Sequence, residues 1–376
     1  MSETGPIYFD CNASPPMDPR VQVAVSQWML ELPGNPSAVL HHHGKHAAEL
    51  VAFARGQVAR SARVQSSEIV FTSGATESNN LALLGLMAHG MATGKRHIIT
   101  SNVEHSSILG VCTHLEKLGF RHETVKVNEA GAVTCADVAH ALREDTLLVS
   151  LMAANNVTGI CQPVAEVADL LTKRDIFFHV DAAQGFGRMG THLHHPGIDL
   201  MSISGHKLYG PKGVGALIVR EGVPLQPLMF GGGQQERLRP GTLPTALIAG
   251  LGLAVEQCEK EAAARAKSCA VLGEKLRTCL APFQPVYFGD QSACLPHVCC
   301  VALPGVDAAL AIALLANQIS LSRGSACTSG ITGPSHVVTA MTKNAQLQDA
   351  ALRFSWYHAT PEPNWQRLHA TLASII

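Results

Sequence analysis

Between residues 68 and 219 short apolar, β-branched runs alternate with polar loops and helix-period stretches. The runs are EIVFT (68–72), RHIITS (96–101), TLLVSLMA (146–153), IFFHV (176–180), DLMSIS (199–204) and GALIV (215–219). Alternation of this kind predicts an α/β domain around a mainly parallel sheet. Polar, chemically capable residues follow directly on five of the runs: SGATESNN, NVEHSS, ANNVTG, DAAQGFG and SGHKLYGPKG. Ligands of open α/β sheets bind outside the carboxyl ends of the strands, so these loops are expected to share a site. After RLRPGTLP the texture changes to a long, Ala-rich, charged helix, a bridge to a smaller second α/β domain. We divide the chain into a large domain, 16–255, and a small one, 1–15 with 256–376. The first dozen residues are able to dock on either part.

A chain of 376 residues suffices for roughly two or three domains. It carries 28 Lys and Arg against 29 Asp and Glu, with no long single-sign run. Electrostatics therefore implies neither nucleic acid nor a membrane as partner. The N-terminal MSETGPIYFDCNASPP does not read as a signal peptide, and no apolar stretch reaches the ~18 residues of a membrane span. A soluble, cytoplasmic protein is expected. Eleven cysteines without C-x-x-C spacing read as reduced thiols, most of them small buried hydrophobes. Cys299 and Cys300 lie in an apolar run and read as core. Cys327, in LSRGSACTSG (321–330), stands among small and polar neighbours, in a stretch that reads as a flexible carrier.

Lys207 lies between a buried-type strand and a glycine-rich turn, where partial desolvation makes an amine a Schiff-base nucleophile. The competing reading, an ordinary surface lysine, fits Lys212 in GPKGVG better. FTSGATESNN reads as strand, tight turn and helix, with Ser73, Gly74, Ala75 and Thr76 offering N–H groups and hydroxyls to an anion. P-loop spacing is absent there, and a Thr–Glu capping box is the alternative. Asp181 follows an apolar strand directly, a costly place for a carboxylate unless a cation such as a protonated pyridine meets it. GFGRMG (185–190) matches G-x-G-x-x-G, but no helical period follows, so a dinucleotide site is rejected. HHHGKH (41–46) and HLHH (192–195) lack ligand spacing, and no metal site is expected. Arg353, in LRFS, suits either a bidentate grip on a carboxylate or a structural ion pair.

A Schiff-base lysine, an anion cradle, a carboxylate for a pyridinium and an arginine for a carboxylate describe a pyridoxal-phosphate enzyme acting on an amino acid. The motifs FTSGATESNNLA, SGHKLYGPKGVGAL, RPGTLP, RGSACTSG and RFS resemble the cysteine desulfurases of the class-V aminotransferase family, in the branch whose reactive loop reads S-G-S-A-C-T-S. The resemblance runs from YFDCNASPP to RFS, nearly the whole chain. It implies fold type I: a large cofactor-binding domain with a mainly parallel seven-stranded sheet, a small C-terminal α/β domain carrying the reactive cysteine, and a homodimer.

Position by position, the resemblance makes Lys207 the holder of the pyridoxal 5'-phosphate aldehyde, His105 the residue stacked on the ring and a proton-transfer group, and Asp181 the partner of the ring nitrogen. Gln184 would bond the ring hydroxyl, and Asn156 would serve cofactor and substrate. Ala75, Thr76, Ser204 and His206 would bind phosphate, joined by Thr242 from the other subunit. Arg353 would grip the substrate carboxylate, and Cys327 would take the sulfur. The implied reaction turns L-cysteine into L-alanine and leaves a persulfide for an acceptor protein of iron–sulfur assembly, tRNA thiolation or DNA phosphorothioation. A selenocysteine lyase, another class-V aminotransferase or a non-catalytic interaction protein are the alternatives. The chain departs from the family at Val157, generally Glu, and at Trp356-Tyr357-His358, where Gly and Arg are expected. It departs also at Arg323, usually serine, which is expected to lend positive charge to Cys327.

Overall fold

The computed structural model describes residues 5–323 and 334–375; Cys327 and the rest of its loop lie outside the described residues. In chain order the strands are β1 (Ile7–Tyr8), β2 (Ile69–Thr72), β3 (His97–Ser101), β4 (Arg121–Val125), β5 (Thr146–Met152), β6 (Phe177–Asp181), β7 (Leu200–Ser204), β8 (Gly215–Val219), β9 (Val286–Tyr287), β10 (Val298–Ala302), β11 (Ile319–Ser320) and β12 (Ala351–Ser355). The sheet order β2-β8-β7-β6-β5-β3-β4 unites seven of them. Only β8 runs against its neighbours, β2 and β7; the other pairs are parallel. The C-terminal ends of β2, β3, β5, β6 and β7 therefore meet along one edge.

Six of these strands coincide with the apolar runs. The seventh, β4 with the sequence RHETV, is an edge strand in which only Val125 is buried. Its polar composition protects an open sheet edge and hides the strand from a hydrophobic-run search. Interior strands such as β5, buried at every residue, read instead as continuous apolar runs because both sheet faces are covered. On one face the helices His42–Ala62 and Thr245–Leu280 set Ala54, Val58, Leu251 and Val255 against Val149, Val180 and Ile203. On the other, Ala75–Gly85 and Ser106–Lys117 set Leu81, Leu83, Ile108 and Leu115 against Ile98, Leu148 and Leu217. A Cβ at Gly252 would lie 2.5 Å from the Ala54 Cα, so the first helix pair depends on that glycine for its close approach.

The Thr245–Leu280 helix runs through the boundary drawn at 255. Its first half belongs to the sheet core, while Cys269, Leu272, Leu276 and Leu280 join a second core with Phe9, Val301 and Phe354. There β10 lies between β9 and β12 in an antiparallel sheet, and β1 pairs with β11. The N-terminal segment docks on both parts: β1 joins β11, and Asn12 Nδ2 donates to the Asn156 carbonyl at 3.1 Å.

Packing accounts for two of the departures. Val157 is buried among Val103, Phe288 and Val337. Trp356 fills the second core, 6.1 Å from the Phe9 ring, and its indole N–H donates to the Cys269 carbonyl at 2.9 Å. Arg323 donates to the Asp349 carbonyl at 3.3 Å; its expected service to Cys327 concerns a residue outside those described.

Candidate active site

A cavity of about 450 Å³ opens where the five loops converge, within the roughly 300–1,000 Å³ of small-molecule sites. Ala75, Thr76, His105, Asn156, Asp181, Gln184, Ser204, His206, Lys207 and Arg353 all line it. Thr242 is exposed and does not line it.

One wall is built to receive an anion. Gly74, at φ +152, caps the Ala75–Gly85 helix without a side chain, so no cap side chain engages the first-turn N–H groups beside the cavity. This conformation favours glycine. No Thr–Glu capping box forms. Glu77 instead accepts the Ser73 N–H at 2.8 Å and pairs with Arg239 at 2.9 Å. Burial would raise the Glu77 carboxyl, but the Arg239 and Ser73 hydrogen bonds outweigh it and hold it below the ordinary range. Burial, followed by the charges of Lys207 and Lys212, pushes His206 down to about 4, so it is neutral at neutral pH. Lys212 is exposed, as a surface lysine should be, and it also borders the cavity.

Lys207 follows β7 in the short turn Gly205–Leu208. Its Nζ donates to the carbonyls of Asn12 and, at 2.9 Å, Ala13. Asp181 closes β6 and is buried; its carboxylate accepts from Asn79 at 2.8 Å and from the Ala183 N–H at 3.0 Å. Gln184 donates to the Asn12 carbonyl at 3.0 Å, and its buried Oε1 has no partner among the described residues. Arg353 shows the ion pair of its two expected readings. It faces the cavity, pairs with Asp10 at 2.5 Å and donates to the Asn156 carbonyl at 3.0 Å.

Behind this wall lie two buried titratable groups. Glu104 is pushed up to about 8 by burial, against the pull of hydrogen bonds from Ser101 at 2.6 Å and the Met152 N–H at 3.1 Å. His179, held between Ser150 and Ser202 at 2.8 and 2.9 Å, is pushed down to about 4 by burial.

This donor set fits pyridoxal 5'-phosphate. Lys207 offers an amine to an aldehyde, Asp181 an anion to a ring nitrogen, and Gln184 Oε1 a vacant acceptor to a ring hydroxyl. The uncapped helix terminus with Lys212 suits a phosphate. Sequence reasoning missed Asn12, Asn79 and Ser107. Asn79 was detectable, since i, i+4 spacing puts it on the same helix face as Ala75. Among the described residues no group of His, Cys, Asp or Glu is placed to hold a metal ion, and no helix is long and apolar enough to cross a membrane.

The class-V aminotransferase model matches residues 7–368. The mitosomal cysteine desulfurase of Trachipleistophora hominis is 41% identical, over 93% of this chain and 81% of its own. DndA from Streptomyces lividans, a solved structure, is 43% identical with a TM-score of 0.81, covering 93% of this chain and 97% of that one. SspA in complex with cysteine is 34% identical with a TM-score of 0.83, covering 95% and 99%. Fold and cavity are those of a fold-type I pyridoxal-phosphate enzyme. Within that class, the chain belongs to the cysteine desulfurases of the class-V aminotransferase family.

Proposed function

We propose that this protein converts L-cysteine to L-alanine and passes the sulfur, held as a persulfide on Cys327, to an acceptor protein. The observation that carries this reading is the meeting of Lys207, Asp181 and Arg353 on one cavity. Pyridoxal phosphate, when bound, supplies an aldehyde for Lys207 and a ring that draws electrons from the substrate α-carbon. Arg353 grips the substrate carboxylate, Lys207 moves the α-proton, and His105 serves the sulfur end. Asn156 borders substrate and ring, and Gln184 takes the ring hydroxyl. Ala75, Thr76, Ser204 and His206 hold the phosphate, with Thr242 reaching it from the second subunit of a homodimer.

The Cys327 thiolate attacks the substrate sulfur; an S–S bond forms as the C–S bond breaks and its electron pair stays with carbon. L-Cysteine and the Cys327 thiol thus become L-alanine and the Cys327 persulfide, with no outside oxidant or reductant. The other ten cysteines support this choice of nucleophile. Burial raises every one of them above the ordinary thiol value, Cys112, Cys299 and Cys300 to about 12. A thiol so placed is a poor nucleophile. We assign residues 16–255 to cofactor binding, 1–15 and 256–376 to the part carrying Cys327, and the protein to the cytoplasm.

Incubation of the holoenzyme with L-cysteine and a thiol reductant, assaying alanine and sulfide together, tests the reading. Matched release of both is expected, abolished in Cys327→Ala. Lys207→Ala is expected to lose the absorbance near about 420 nm that a lysine-bound cofactor gives. Alanine release that survives Cys327→Ala overturns the assignment.

A further inference from the structure

We infer that Ser107 and Asn79 are positioning residues that hold His105 as its Nε2–H tautomer, so that the ring enters turnover as a hydrogen-bond donor at Nε2. The inference rests on the reading of His105 as the group serving the substrate sulfur. The hydrogen bonds assign each proton in turn. The Asp181 carboxylate only accepts, so the Asn79 atom 2.8 Å from its Oδ2 is the amide nitrogen. That nitrogen also lies 2.8 Å from Ser107 Oγ, which receives its second hydrogen. Ser107 Oγ thus accepts from Asn79 and turns its own proton to His105 Nδ1, 2.8 Å away.

The Ser107 backbone N–H, which can only donate, reaches the same ring nitrogen at 3.1 Å as His105 caps the Ser106–Lys117 helix. Nδ1 receives two hydrogen bonds and has no proton of its own, so the proton of the neutral ring sits on Nε2. Asn79 is fully buried and Ser107 nearly so, which keeps water from competing for these bonds.

Two consequences follow for the reaction. The ring offers its Nε2–H as a hydrogen-bond donor; net loss of that proton would leave an imidazolate, and a second proton at Nδ1 would displace two donors, one of them the helix cap. His105 therefore serves the sulfur end as a hydrogen-bond donor and not as a base, and the base that takes the α-proton is a different group, Lys207. The Asn79 amide that orients the Ser107 hydroxyl also holds Asp181 Oδ2, so one side chain aligns both the carboxylate and the imidazole.

Long-range proton–nitrogen NMR spectra of 15N-histidine-labelled holoenzyme test the assignment, with the His105 signals identified by their loss in His105→Gln. The expected spectrum shows Nδ1 unprotonated and hydrogen-bonded, and Nε2 protonated. Ser107→Ala is expected to move Nδ1 downfield and to slow alanine release severalfold at unchanged KM, and Ser107→Thr to restore both. Asn79→Leu is expected to shift Nδ1 in the same direction as Ser107→Ala. A protonated Nδ1 in the native protein, or an Nδ1 signal that Ser107→Ala leaves in place, overturns the inference. The spectrum is read without turnover. The expected tautomer in a protein that releases no alanine would uphold the proton assignment and overturn the desulfurase reading instead.

Discussion

The seven-stranded sheet and the β9–β10–β12 sheet bury their inner strands equally, but they place polar side chains differently. In the larger sheet Thr72, Ser101, Asp181 and Ser204 are the last residues of β2, β3, β6 and β7. Ladder hydrogen bonding runs out at those ends, so side chains there reach loop N–H groups and the cavity. In the smaller sheet β10 and β12 are buried from end to end, and Arg353 sits in mid-strand opposite Cys300. Its charge is tolerable because the N-terminal segment brings Asp10 to it. The first region makes chemistry out of strand ends; the second is mainly packing, with one charge threaded through it.

The largest expected effect sets the two regions against each other. Lys207→Ala should cut alanine formation by about three orders of magnitude or more while leaving the unfolding midpoint nearly unchanged. Trp356→Ala should do the reverse. Loss of that fully buried ring should destabilise the protein by about 3–5 kcal/mol in denaturant titrations, with activity per folded molecule retained. A Trp356 variant inactive while still folded would break the division.

Glu104 gives the next effect. Its folded value, about 8, lies above that of an unfolded carboxyl, so the folded state holds more protons between about pH 4.3 and pH 8. Its stability contribution is complete below that window and is lost as pH rises through it, by about 5 kcal/mol. Glu104→Gln keeps the acceptor used by Ser101 and Met152 and should flatten that stretch of the stability–pH curve. Smallest is Arg239→Gln, which removes the partner of Glu77 at the rim; unfolding should show a loss of about 0.5–1 kcal/mol.

Much of the site was legible because a parallel sheet forces one geometry on its loops. Once EIVFT, RHIITS, TLLVSLMA, IFFHV and DLMSIS were read as parallel strands, the polar stretches after them had to meet at one edge. β4 escaped notice because an edge strand has no need of apolar residues on both faces. The place of Lys212 beside the cavity was not legible because sequence gives exposure but not proximity to a cavity.

The chain's own order of residues determined the sheet, the converging loops and the presence of a lysine, a carboxylate and an arginine suited to a cofactor and an amino acid. Those follow from local periodicity and from the direction strands must run. Only the tertiary structure decided that Asn12 accepts from Lys207, that Asp10 meets Arg353, and that Asn79 and Ser107 link Asp181 to His105. Hydrogen bonds depend on distances of a few tenths of an ångström between residues up to 343 positions apart, and no periodicity along the chain encodes such distances.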